Sequence, residues 1–220
     1  MSQLVFKFPF KKKYYEQDYY VSSNNFLVYR LIESWPNWPD KWVNVFGPKG
    51  CGKTHLSNIL KKKIKSVEIF DAKKIDNQTI LRIEKLDCLI IDNYNKNIDE
   101  KLFYSLLNHL KQLDKYFVVN SVLPIKKMEF ELKDLKSRSE VFVSLGIELP
   151  TDDLLRVIIS KSFSDKQIDM SPKLSEYIIK NIERSYEKVF KFIKEIDDLS
   201  LSSGKSININ LIKKVLINNE

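Results

Sequence analysis

Residues 47 to 54, Gly-Pro-Lys-Gly-Cys-Gly-Lys-Thr, combine within one short loop what polyphosphate binding requires. Glycines let successive backbone N–H groups turn inward around phosphate oxygens. A lysine in the Lys53 position reaches the β- and γ-phosphates, and a hydroxyl in the Thr54 position binds Mg²⁺. The loop follows the apolar run WVNVF (42 to 46) and precedes the helical stretch HLSNILKKK, so the phosphate would lie at a helix N-terminus, where N–H groups and the helix dipole favour negative charge. A glycine turn with an incidental Lys-Thr has no need of that context. The candidate nucleotide-binding set is therefore Gly47, Pro48, Lys49, Gly50, Cys51, Gly52, Lys53 and Thr54, with ADP or ATP and Mg²⁺ as ligands. Lys49 adds a charge whose direction the sequence leaves open.

The second chemical signal is CLIIDN. The apolar run ends on Asp92, 38 residues beyond Thr54, where a carboxylate on the metal side of a nucleotide is needed. A strand-ending Asp could also cap a helix; beside the phosphate loop, the metal role is favoured. Asn93 comes next. A self-sufficient ATPase usually carries an acid there to orient or deprotonate the attacking water, and an amide cannot take that proton. His55 and His109 are far apart in sequence and read as core or surface residues. Cys51 and Cys88 form neither a disulfide framework nor a zinc spacing.

These residues need a frame to hold them. Short β-type runs at 42–46, 67–70, 88–92, 116–120 and 143–149 alternate with helical stretches. One of these, DEKLFYSLLNHLKQ, has Leu102, Phe103, Leu106, Leu107 and Leu110 on one face. The alternation predicts an α/β core with a parallel sheet flanked by helices. A helix is expected from Ser22, broken by WPNWPDKW. Pro150 marks a boundary, beyond which only helical patterns follow: DDLLRVIISKSF, SPKLSEYIIKNI with Ser171 as cap and Pro172 first in the helix, SYEKVFKFIKEIDDLSL, the turn SSGKS, and INLIKKVLI. The expected organisation is a flexible arm (1–15), a nucleotide-binding α/β domain (16–150) and a small all-α C-terminal lid (151–220).

Composition limits the function classes. No apolar run approaches the ~20 residues of a membrane span, and the N-terminus lacks the apolar core of a secretory signal, so a cytoplasmic location with no membrane partner is expected. The formal charge of +8 suggests nucleic acid, yet only Arg30, Arg82, Arg138, Arg156 and Arg184 are arginines. Lysine, isoleucine and asparagine are abundant together, as in a codon-biased genome. The clusters Lys11 to Lys13 and Lys61 to Lys63 read as solvated faces.

In order, the phosphate loop, the Asp-ended strand and the helical tail resemble an AAA+ ATPase with its C-terminal lid, and more closely the DnaA branch of that superfamily, on the side of the Hda-type regulators of replication initiation. The resemblance spans nearly the whole chain, much of it in pattern more than identity. In SQLVFKF, Gln3, Leu4, Phe6 and Phe8 resemble the short peptide that binds the DNA polymerase III sliding clamp. DLKSRSEVFVSLGIELP resembles the segment that carries the arginine finger, which falls on Arg138. The chain stops at Glu220, where Hda-type proteins end and DnaA continues into a DNA-binding domain.

The resemblance implies a bacterial, nucleoid-associated negative regulator of initiation. It would bind the clamp and stimulate hydrolysis of DnaA-bound ATP by a finger supplied in trans, with weak intrinsic ATPase activity and only indirect DNA contact through the clamp. The alternative is an autonomous AAA+ ATPase such as a DnaC-type helicase loader. Homo-oligomerisation is left open. The resemblance also places Asn25 near the adenine, Asn120 or Ser121 at the sensor-1 strand end, and Glu187 where relatives carry a sensor-2 arginine, with Arg184 or Lys188 as neighbouring cations.

Overall fold

Five parallel strands form one sheet: β1 (Trp42–Phe46), β2 (Val67–Asp71), β3 (Cys88–Tyr94), β4 (Tyr116–Ser121) and β5 (Val143–Gly146), in the spatial order β2-β3-β4-β1-β5. The computed structural model describes residues 14–168, 170–204 and 206–217. The three inner strands are almost wholly buried, while the edge strands β2 and β5 are half-buried throughout. This is the burial expected of a parallel sheet with helices packed on its faces, and it explains why the inner strands read as continuous apolar runs.

Helices α1 (Phe26–Glu33), α2 (Lys53–Lys63), α3 (Asn77–Ile83), α4 (Glu100–Gln112) and α5 (Lys133–Ser139) accompany the sheet. α4 begins where the Asp99 side chain accepts from Leu102 N, and it buries Phe103, Leu106, Leu107 and Leu110. Each such side chain contributes roughly 1.5–3 kcal/mol by leaving water. Phe103 stacks on Tyr94 at 4.7 Å between ring centroids, which joins α4 to the end of β3.

Among the polar side chains buried inside the sheet, Asn44 is fully enclosed. Asn44, on β1, donates to Val119 O and Ser121 Oγ, both at 2.9 Å, and its Oδ1 accepts from Ile125 N at 2.8 Å. It ties β1 to the end of β4 and to the turn beyond.

The boundaries differ from the sequence expectation where local chemistry intervenes. Residues 22–25 form a turn closed by Asn25 N to Ser22 O, so α1 starts at Phe26 instead of Ser22. β3 continues past Asp92 to Tyr94 through a register shift, with Asn93 at φ 60°. β5 ends at Gly146 instead of Leu149. Ile147 N still bonds Phe46 O, but Glu148 N turns to Asn24 O, outside the sheet. α3 and α5 are short helices that apolar periodicity does not reveal; α3 is set by a capping box in which Asp76 and Thr79 satisfy each other's backbone.

The contacts divide the chain after Glu148. From Leu149 onward lie α6 (Asp152–Ser164), α7 (Pro172–Asn181), α8 (Tyr186–Ser203) and α9 (Ile209–Ile217), around a core that includes Leu155, Ile159, Phe163, Phe192, Ile196 and Ile212. Thr151 caps α6, Ser171 caps α7 ahead of Pro172, and Gly204 ends α8 at φ 62°. Among the described residues no helix is long and apolar enough to cross a membrane.

Replacing Asn44 with Ala leaves the buried Ile125 N–H and the Ser121 hydroxyl short of a partner. The expected cost is about 2–3 kcal/mol, read as a lower urea midpoint at unchanged m-value.

Candidate functional site

The loop Gly47–Gly52 runs from the end of β1 into α2, and the packing around it dictates its glycines. A Cβ on Gly47, at φ 153°, would lie 2.6 Å from the carbonyl oxygen of Ile147. On Gly52, at φ 100°, it would lie 2.8 Å from the ring of Tyr19. Both clashes come on top of a backbone conformation that L side chains rarely adopt. Lys49 and Gly50 are exposed, so Lys49 faces water, and Pro48 is half-buried. Cys51 is buried, and burial pushes its thiol up from the ordinary range, opposed by the Lys53 ammonium.

Lys53 curls back over this loop. Its Nζ donates to Gly47 O at 2.7 Å and Pro48 O at 2.9 Å, and approaches Cys51 Sγ at 3.6 Å. Its charge is therefore held within the curve of the loop, where a phosphate oxygen would replace the backbone acceptors.

Thr54 and Asp92 come together as their spacing suggested. Thr54 Oγ1 donates to Asp92 Oδ2 at 2.6 Å. The other oxygen of this buried carboxylate accepts from Asn93 N at 3.1 Å and Asn120 Nδ2 at 3.0 Å. Asn120 also donates to Ser57 Oγ at 2.7 Å, while its own Oδ1 is buried without a partner. Because Asp92 can only accept, this bond fixes which end of the Asn120 amide faces it. A buried acceptor beside a hydroxyl and a carboxylate suits a site that receives water or a hydrated ion. Ser121, the next residue on β4, points to the other face and is spent on Asn44 and Leu123 O.

The donor set fits nucleotide with Mg²⁺. Thr54 and Asp92 would hold the ion, which usually retains several waters and takes its remaining ligands from phosphate. Among the described residues no group of three or more His, Cys, Asp and Glu could hold a metal by itself. Bound Mg²⁺ would neutralise phosphate charge; the chain supplies the loop N–H groups and Lys53.

The remaining sequence candidates lie elsewhere. Asn25 is buried, its amide spent on the turn that precedes α1: Oδ1 accepts from Ser22 N at 2.9 Å and Nδ2 donates to Tyr20 O at 2.9 Å. Asn25 thus shapes the 20–25 segment. Arg138, on α5, donates to Asn108 Oδ1 at 3.0 Å. It lines a cavity of about 560 Å³ together with Trp42 and Tyr116, the first residues of β1 and β4. The phosphate loop leaves the opposite end of β1, roughly 16 Å along a strand of five residues. Arg138 and the loop therefore occupy opposite edges of one sheet.

In the helical unit, Glu187 is exposed in the first turn of α8. Arg184 pairs with both oxygens of Asp152, and Lys188 lies 3.6 Å from Glu183. Gln3, Leu4, Phe6 and Phe8 fall outside the described residues.

Sequence reasoning did not single out Asp71, Ser57 or Tyr19. Asp71 accepts from Asn93 Nδ2 at 2.8 Å. Ser57 is one helical turn from Thr54, the spacing that puts it on the same face of α2. Tyr19 stands under Gly52 and against His55, with ring centroids 5.3 Å apart. His55 Nε2 in turn donates to Tyr15 O at 2.6 Å. The segment ahead of α1 thereby braces the phosphate loop from outside.

No protein-family model matches the chain. It is 26% identical, across 98% of its length, to the chromosomal replication initiator DnaA of Buchnera aphidicola subsp. Baizongia pistaciae, 53% of which is covered. Domain III of DnaA from Thermotoga maritima superposes with a TM-score of 0.76 at 16% identity, covering 96% of this chain and 98% of that one. DnaA from Aquifex aeolicus, solved with AMPPCP, gives 0.66 at 20% identity, covering 85% of this chain and 65% of that one.

Sheet order, phosphate loop and helical tail define an α/β module with the AAA+ fold. Within that class, the chain is similar in sequence to DnaA initiators at low identity, and it spans about half the length of the curated relatives it matches.

Gly52→Ala forces a side chain against Tyr19 at a strained φ and so distorts the loop. Titration with a fluorescent ATP analogue is expected to show affinity lowered at least ~10-fold, about 1.4 kcal/mol.

Proposed function

We propose that this chain is a nucleotide-binding regulator of replication initiation. It docks on the DNA polymerase III sliding clamp through Gln3, Leu4, Phe6 and Phe8, and it accelerates hydrolysis of DnaA-bound ATP by inserting Arg138 into the partner's nucleotide site. On this reading the chain's own nucleotide, held by the loop 47–54 with Mg²⁺ at Thr54 and Asp92, is mainly a structural ligand. Intrinsic turnover is weak, and DNA is met through the clamp.

The observation that carries the proposal is the separation of the two charged sites. Arg138 stands at the sheet edge opposite the phosphate loop, too far to serve the nucleotide of its own chain. A guanidinium there has catalytic use only against a second molecule's phosphates. Asn93 supports the same division of labour, because a chain that supplies a finger does not need a proton acceptor after Asp92. The DnaA likeness suggests the partner, and DnaA from Aquifex aeolicus was solved with AMPPCP bound.

The test is single-turnover hydrolysis of labelled ATP on DnaA, with clamp loaded on DNA. Wild-type chain is expected to accelerate it, and Arg138→Ala to lose the effect by ~10³-fold or more while binding nucleotide as tightly as wild type. Stimulation that survives Arg138→Ala rejects the finger. No stimulation by wild type, together with fast turnover of ATP by the chain alone, favours the autonomous helicase-loader reading.

A further inference from the structure

Asn93, where a self-sufficient ATPase carries an acid, has a definite partner. Its φ of 60° lies in the left-handed region, which Asn tolerates better than most residues with a side chain. It sits inside the register shift between Ile91 and Tyr94. The bulge turns its side chain toward the neighbouring strand, where Nδ2 donates to Asp71 Oδ2 at 2.8 Å. Asp71 ends β2 in register with Asp92, so its carboxylate stands at the edge of the sheet from which the phosphate loop emerges. Its other oxygen accepts from Lys73 N at 3.0 Å, in the turn Ala72–Lys74. The acid missing after Asp92 is therefore present one strand over, tied at both oxygens.

We propose that the acid and the amide of this site are exchanged between the strands. Asp71 on β2 carries the carboxylate that would otherwise follow Asp92 on β3, and Asn93 with Lys73 N–H holds it one strand further from the phosphate loop, which silences hydrolysis of the chain's own nucleotide. The pair accepts acid and amide in either order. It does not accept two acids, because carboxylates at this separation repel and neither can donate while ionised. An Asp placed at 93 with an Asn at 71 would keep the hydrogen bond and return the carboxylate to β3. In the turnover so restored, a water oxygen bonds to the γ-phosphorus as the bond from that phosphorus to the β,γ-bridging oxygen breaks. ADP leaves with the electron pair, and the proton lost by water passes to the carboxylate.

The inference rests on residues 47–54 being a nucleotide site, and the experiment separates the two. Full-length wild type, Asp71→Asn, Asn93→Asp and the double variant are compared by melting without nucleotide, by binding of a fluorescent ATP analogue, and by single-turnover hydrolysis of Mg-ATP. Asn93→Asp is expected to melt about 2–4 °C lower, and the double variant to recover wild-type melting. The double variant should hydrolyse ATP about 10²-fold faster than wild type, the lower range for a positioned general base, at similar nucleotide affinity. Asp71→Asn alone, which leaves no acid at the pair, should stay as slow as wild type. The exchange is overturned if Asn93→Asp melts with wild type, if the double variant fails to recover, or if it recovers and binds nucleotide but turns over no faster. Failure of the wild type to bind the analogue removes the site reading and this inference together.

Discussion

The Asp92 carboxylate is the point on which the nucleotide end of the molecule depends. It stands where the buried apolar run of β3 reaches the loop face, and its two oxygens collect Thr54 from the head of α2, Asn120 from β4 and the backbone of Asn93. A buried carboxylate costs free energy unless donors surround it, so these donors fix one another's positions by satisfying it. The hydroxyl that would bind Mg²⁺ is thereby placed before any ion arrives, and Asn120 has only one orientation open to it. The register of β3 against β4, set by apolar residues deep in the core, fixes where this cluster forms.

The same sheet separates two charged sites. Its C-terminal edge holds the phosphate loop, braced outside by Tyr19 and His55, while its N-terminal edge holds Arg138 beside the aromatic groups of Trp42 and Tyr116. A parallel sheet imposes this polarity, because every strand delivers its C-terminal end to one side. Asn44 keeps β1 and β4 in step between the two edges. On the proposed reading, one edge binds the chain's own nucleotide for its effect on shape, and the other acts on a partner's.

Much of this was legible in the sequence because the signals were local. The loop GPKGCGKT between an apolar strand and a helix carries its own chemistry, and the run CLIID is buried as it reads. The amphipathic face of DEKLFYSLLNHLKQ is the buried face of α4. Other features depend on contacts between distant residues. Nothing in SVEIFDA marks Asp71 as the partner of Asn93, because the bond exists only through the pairing of β2 with β3 and a bulge that reverses one side chain. The choice between Asn120 and Ser121 required knowing which face of β4 each occupies. The sequence likewise does not show that the Asn25 amide closes a local turn. α3 was hidden because a capping box, and no apolar stripe, defines it.

On the proposed reading, this chain has a nucleotide site built to bind and not to turn over. The most direct test loads the purified chain with γ-labelled ATP and Mg²⁺ and follows the bound nucleotide without any partner. The label is expected to stay on the bound nucleotide far longer than the seconds or less of phosphoryl-transfer enzymes working at about 1–100 s⁻¹. Release of phosphate at such rates by the isolated chain would contradict that reading, because Asn93 would then be no obstacle and the division of labour between the two edges would have no basis.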